Sequence, residues 1–197
     1  MRVVSALVLV SALALSGCGG SSESGSSGSV PIETVERPSI TTTYRVPSAA
    51  MEPTLHCELP DPGCEADAAD HLRVEEPVRD PQRGSILVIQ VPPLAQERCG
   101  PGFRIPGGRS IKRVIGLPGE TWEERNGFIY LDGMKLAEPY IEQDRRDTGS
   151  SYPPRKIPHG NHFLMGDNRS QSCDSREWGP VSAAHLIGKV VRILRPQ

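Results

Sequence analysis

The stretch Thr121-Trp122-Glu123-Glu124-Arg125-Asn126-Gly127-Phe128-Ile129-Tyr130-Leu131-Asp132-Gly133 decides the fold class. Asn126-Gly127 separates two runs of strand character, and Asp132-Gly133 follows the second at once. Such dipeptides readily supply the positive φ angles of tight hairpin turns, so the stretch reads as a β-meander. Working outward, Ser85 to Val91 is an apolar run of strand length, consistent with a buried strand. Ile111 to Gly116, His162 to Met165 and His185 to Leu194 supply further strands, and the one helix expected is a short turn at Ser182 to His185. Twenty glycines and nineteen prolines in 197 residues argue against a helical bundle and favour short strands joined by many turns. The expected fold is mainly β.

At the N-terminus, Arg2 precedes an apolar run from Val3 to Leu15 that is interrupted only by Ser5 and Ser11. That run is shorter than the roughly 20 residues a membrane-spanning helix needs and fits the apolar region of a secretory signal. Leu15-Ser16-Gly17-Cys18 has the form of a lipobox, in which the cysteine becomes diacylated and then N-terminal. Residues 1–17 are therefore expected to be a lipoprotein signal peptide. Residues 18–37, beginning at a lipidated Cys18, are expected to be a flexible tether. Gly19 to Ser29 holds nothing that can bury apolar surface, and a flexible chain of that length spans about 18 Å. This places the remainder, residues 38–197, at the extracytoplasmic face of the cell membrane as one domain with a sizeable core.

A net charge of -2 and the absence of a basic run with interleaved aromatics exclude an evident nucleic-acid partner. No internal repeat is visible. With Cys18 assigned to lipid, Cys57, Cys64, Cys99 and Cys173 remain, and an even number outside the cytoplasm suggests disulfides. Cys57 and Cys64 bracket the turn-rich segment Glu58 to Gly63 and make a natural local pair, leaving Cys99 for Cys173. The competing arrangement is a metal site drawing on Cys57, Cys64 and His71, but its spacing matches no common zinc pattern.

Four segments carry a more specific signal. Ser48-Ala49-Ala50-Met51-Glu52-Pro53-Thr54-Leu55 resembles the serine-bearing segment of the type I signal peptidases, whose usual form is Ser-x-Ser-Met-x-Pro-Thr-Leu. Arg83-Gly84-Ser85-Ile86-Leu87-Val88 resembles that family's Arg-Gly-Asp strand, with Ser85 in place of the aspartate. Lys112 to Glu120 is similar to the segment carrying its general-base lysine, and Gly166 to Arg176 to its last box. The resemblance spans residues 44 to 190, with the four segments in the family's order.

The resemblance implies a signal-peptidase-like fold of antiparallel sheets. It also implies a Ser–Lys endopeptidase that cuts signal peptides from exported proteins after small residues, at the outer face of the membrane, with no cofactor and no metal. Carried over by motif, Lys112 is the general base, Ser172 orients it, and Asp174 and Arg176 form a supporting ion pair. Ser48 supplies a hydroxyl to the oxyanion hole beside the backbone N–H of residue 50. Asp167-Asn168 reads mainly as a turn. A lysine accepts a proton only when neutral, against an ordinary pKa of about 10.4, so the chemistry needs a dry setting that disfavours the charge. Lys112 lies between Ile111 and Val114-Ile115, which suits such a setting, although alternation alone would face a strand lysine to solvent.

The register fixed by Met51, Pro53, Thr54 and Leu55 puts Ala50 at the nucleophile position, and alanine has no atom to attack a carbonyl. Ser48 does not readily substitute. In an extended segment it shares a face with residue 50 but is displaced by roughly 6–7 Å, far beyond the tolerance of a working site. Three readings follow. The chain binds signal-peptide segments with impaired catalysis, or it is an active signal peptidase that either uses another hydroxyl or is represented here by a nucleophile-null variant, or it is a cell-envelope lipoprotein that keeps the scaffold as an interaction module. A Ser-His-Asp hydrolase is poorly supported, because no Gly-x-Ser-x-Gly elbow occurs. No DNA-binding domain of the kind that accompanies related Ser–Lys self-cleaving repressors precedes the motifs.

Overall fold

The computed structural model describes residues 38–100 and 106–196. The expected export signal, Cys18 and the tether fall at 1–37 and lie outside the described residues. In chain order the strands are β1 (Ile40–Arg45), β2 (His71–Glu76), β3 (Ile86–Gln90), β4 (Arg109–Gly116), β5 (Thr121–Arg125), β6 (Phe128–Leu131), β7 (Met134–Lys135), β8 (Tyr152–Lys156), β9 (Asn161–Met165), β10 (Val181–Ser182) and β11 (Leu186–Leu194). Two short α-helices interrupt them, α1 (Leu94–Arg98) and α2 (Ser175–Trp178). A seven-stranded sheet has the order β1-β2-β11-β3-β4-β9-β10, and a four-stranded sheet has the order β7-β6-β5-β8. Every strand pair is antiparallel. The fold is mainly β, as the turn chemistry dictates.

The meander forms where expected. Arg125 pairs with Phe128 across a two-residue turn in which Asn126 and Gly127 take φ of 49° and 76°. Asp132 and Gly133 repeat this at 48° and 81°, the mirror-image turn whose twist matches that of paired strands. Trp122 on β5 stacks on Phe163 of β9 with ring centroids 4.0 Å apart. This contact joins the small sheet to the large one around a core that includes Ile115, Ile129, Leu131 and Ile157.

The apolar run at β3 is buried on both faces. Val88 packs with Met51, Leu55, Leu72 and Ile111, while Leu87 and Ile89 pack with Val114, Leu164 and Trp178. β4 begins at Arg109, two residues before the expected start, and the expected helical turn is a 3-10 helix at Ala183–His185 capped by the Ser182 hydroxyl. The expectation of a single helix is corrected: α1 and α2 are too short to show a helical period. The strands β1, β2, β8 and β10 also escaped the sequence reading. β8 carries Pro153 and Pro154, which a strand tolerates at the edge of a sheet, where β8 lies.

Both expected disulfides are present. Cys57 is bonded to Cys64 and Cys99 to Cys173, with Cα separations of 5.1 and 5.8 Å. The first lies in the core beside Met51 and Leu55, and the second ties the end of α1 to the segment preceding α2. With both thiols of the first pair in the disulfide, they leave no thiolate for a metal shared with His71. Replacing Cys57 and Cys64 together by serine frees only a short loop, and we expect a loss of about 2 kcal/mol in urea unfolding. Non-reducing peptide mapping reads the connectivity directly, and free thiols at all four positions would contradict it. Among the described residues no helix is long and apolar enough to cross a membrane.

Candidate active site

Ala50 does not lie in a strand. Residues Ala49–Met51 form one turn of 3-10 helix, with Ser48 extended before it and Glu52 extended after it. The strand spacing assumed between Ser48 and residue 50 is therefore replaced by a turn. Met51 and Leu55 hold that turn by burying their side chains in the first core. The fully buried Glu52 carboxylate accepts the Cys57 N–H at 3.0 Å and lies 2.7 Å from His56 Nδ1. Ser48 is exposed, and its hydroxyl makes no capping bond to the turn.

Lys112 sits in the middle of β4 and is 2% exposed. Its strand partner is Leu87, and its ammonium group lies 6.0 Å from the centre of the Trp178 ring, so its β4 position points into the second apolar core. Burial holds its pKa down to about 8. Its Nζ donates to Ser172 Oγ at 2.8 Å. Lys112 is thus a buried lysine, not the solvent-facing one that alternation alone predicts.

The segment between β9 and α2 wraps this amine. The buried Asp174 caps α2 by accepting the Arg176 N–H. Arg176 reaches both oxygens of the same carboxylate, Nε to Oδ1 at 2.9 Å and Nη2 to Oδ2 at 3.1 Å. Burial alone would raise the Asp174 carboxyl, but the Arg176 guanidinium, together with the charge of Lys112 and a hydrogen bond from Ser172, outweighs this and holds it below the usual carboxylate range. Arg176 also donates to the carbonyls of Arg169 and Ser172, which fixes the backbone that carries the Ser172 hydroxyl.

Asp167 and Asn168 do more than turn the chain. Asp167 is fully buried and takes a two-pronged bond from Arg113, at 2.8 and 2.6 Å. Asn168 donates its backbone N–H to the Ala50 carbonyl at 3.2 Å and its side-chain amide to the Ala49 carbonyl at 3.0 Å. The Ala50 turn and the Lys112-bearing site are thereby clamped together. Gly166 makes the approach possible: a Cβ there would collide with both the Ala50 carbonyl oxygen and Ser172 Oγ. Ala50, Ser172 and Lys112 therefore converge on one point. Behind them the buried Arg169 donates to the Gly166 carbonyl and pairs with the buried Glu138. The sequence gives no signal for Glu138, whose partner lies 31 residues away.

A groove of about 430 Å³ lies next to this point in the chain, between the segment before Ser48 and the strand that carries Lys112. Tyr44, Arg45 and Pro47 line it from the chain leaving β1, and Arg109, Ser110 and Ile111 from β4. Arg109 donates to the Tyr44 hydroxyl at 3.2 Å and lies over its ring, so β1 and β4 meet although three strands separate them in the sheet. Among the described strands, β4 over Arg109–Lys112 pairs with β3 alone, because its pairing with β9 begins at Arg113. β1 pairs only with β2 among the described strands. Among the described residues both walls thus offer open strand edges, and both run forward along the chain to the site, to Ala50 and to Lys112.

The sequence matches the family described as signal peptidase, peptidase S26, over residues 30–194. It is 38% identical over 146 residues to a probable signal peptidase I-1 of Synechocystis sp., an alignment covering 73% of this chain and 65% of that one. It is 34% identical over 149 residues to a signal peptidase I of Leptolyngbya laminosa, covering 74% of this chain and 64% of that one. A crystal structure of a signal peptidase I from Enterococcus faecalis V583 aligns with a TM-score of 0.44 at 29% identity, covering 58% of this chain and 100% of that one. The chain spans 58 to 65% of the length of the first curated relatives it matches. Matched to that family over residues 30–194, the chain belongs to the signal peptidase, peptidase S26, family.

Proposed function

We propose that this chain binds signal-peptide segments bearing small residues and does not cut them, held by lipid on Cys18 at the outer face of the cytoplasmic membrane. In this reading the segment enters the groove as an added strand, its backbone pairing with the open edges of β1 and β4. Ser48 and the N–H of residue 50 are the oxyanion donors, Lys112 the base position, Ser172 its orienting hydroxyl, and Asp174 with Arg176 the support behind it. The observation that carries the reading is a dry Lys112 hydrogen-bonded to Ser172, with the Ala50 carbonyl packed against the same Gly166 as Ser172 and no hydroxyl on residue 50. A scaffold that had drifted to an unrelated use would have no need to keep a lysine desolvated at the end of an open groove, since an unpaired buried charge is costly.

Peptide capture tests this. A labelled peptide containing Ala-x-Ala should raise fluorescence anisotropy with the native chain, and Ser110→Arg, which puts a bulky charge in the groove from a half-buried position, should weaken binding at least tenfold. Equal binding by the two chains would place the peptide elsewhere. The anchoring is tested separately: Cys18→Ala should abolish labelling by a radioactive fatty acid and leave the leader unprocessed at that point. Undiminished labelling in Cys18→Ala would refute it.

A further inference from the structure

Lys112 is not accounted for by a silent cleft alone. Among the described residues it forms no ion pair, and its hydrogen bond is to a neutral hydroxyl, Ser172 Oγ. Asp174, the carboxylate that favours its charge most, is already engaged by Arg176 on both oxygens. An ammonium with open donors in a dry site gains more from an anion than from a neutral carbonyl, because attraction between two full charges is much stronger in a dry site than in water. In a Ser–Lys dyad that amine would face the nucleophile hydroxyl, whereas here residue 50 has none, and Ser172 Oγ, which Lys112 contacts, lies across Gly166 from the Ala50 carbonyl. The groove runs beside β4 as far as Ile111, the chain neighbour of Lys112.

We infer, resting on the peptide-binding reading above, that the site is a receptor for free peptide C-termini: a peptide ending in a small residue lies in the groove with its terminal carboxylate at Ala50, paired with the Lys112 ammonium. An uninterrupted chain crossing the same point presents only a neutral carbonyl to Lys112, and a C-terminal amide presents the same. A terminal carboxylate brings a full charge to a buried partner that otherwise lacks one. The preferred ligands are thus peptides already released by cleavage after a small residue. Burial leaves Lys112 largely protonated at neutral pH, with its pKa near 8, so the receptor is charged under ordinary conditions. Asp174 and Asp167 favour that charge and Arg176 opposes it.

The test uses the native chain and three labelled peptides of one sequence, read by anisotropy at pH 6.5. One ends in Ala-x-Ala with a free carboxylate, one ends there as an amide, and one continues past it. The free acid should bind at least tenfold more tightly than the other two, and Lys112→Met should bring acid and amide together. If the methionine variant does not fold, the native chain gives a second readout: the preference for the acid should shrink as pH rises past 8 and the amine loses its proton. Equal binding of acid and amide by the native chain would overturn the inference while leaving the groove intact as a peptide site. Failure of all three peptides would instead remove the peptide-binding reading itself. A preference that persists in Lys112→Met would assign it to Arg45 or Arg109 at the groove walls and would also overturn the inference.

Discussion

Ala50→Ser is expected to create endopeptidase activity, raising kcat/KM on an Ala-x-Ala substrate at least a thousandfold, toward the roughly millionfold that removal of a serine nucleophile costs in other proteases. The substitution adds one oxygen at a position where Lys112 is already buried, lowered in pKa and hydrogen-bonded to Ser172. In the attack step the serine oxygen would bond to the carbonyl carbon of the substrate and its proton would pass to the lysine amine. The same proton would then go to the departing amine. Because such residues act as a unit, Lys112→Ala in the Ala50→Ser background should return activity to the native level. Lys112→Ala in the native chain should leave its turnover unchanged. The pH profile carries a sign. Only the neutral amine accepts the proton, so the Ala50→Ser rate should climb as pH rises toward 8 and level off above it. A flat profile, or activity that survives loss of Lys112, would show that the oxygen acts through some other group.

Arg169→Met should cost about 3 kcal/mol or more in urea unfolding, although Arg169 lies behind the groove and touches no expected ligand. Arg169 is 1% exposed, and its Nη1 lies 3.2 Å from the Glu138 carboxylate, with Nη2 also bonded to it. Methionine fills similar volume but leaves that carboxylate buried with weaker partners, Arg146 at 3.4 Å and the Tyr140 hydroxyl at 3.3 Å. Removing one member of a buried pair costs about 3–5 kcal/mol, whereas replacing both by apolar residues is often neutral. The Arg169→Met, Glu138→Met double variant should therefore recover much of the loss. The Gly166 carbonyl loses its Nε donor in either variant, so recovery should stop short of the native value. A single variant within about 0.5 kcal/mol of native would mean that water reaches Glu138 when Arg169 is gone.

What the sequence discloses here is what depends on neighbours in the chain. Asn126-Gly127 and Asp132-Gly133 dictate their turns locally, and the doubly buried β3 shows as an unbroken apolar run. In β2 the exposed and buried residues do alternate, but six residues starting at His71 are too few to stand out among prolines and charges. The four residues of α2 exist because Asp174 caps them and Trp178 is buried, neither of which produces a period. The site divides in the same way. The motif residues point to their positions one by one, but the dryness of Lys112 comes from Leu87 and Trp178, distant in sequence. Asp167 and Asn168 look like turn formers because their partners, Arg113 and the Ala49–Ala50 carbonyls, lie more than fifty and one hundred residues away. The groove is less visible still, since it depends on β1 returning to meet β4 across a curled sheet.

The most direct test of a cleft that binds without cutting is to incubate the native chain, in lipid, with an exported protein precursor carrying Ala-x-Ala, and to weigh both the bound and the free material by mass spectrometry. The account predicts intact precursor recovered with the native chain, and cleavage after the small residue only when Ala50→Ser is used in its place. Cleavage by the native chain at a rate comparable to that of Ala50→Ser would contradict it, because the nucleophile would then lie somewhere other than position 50.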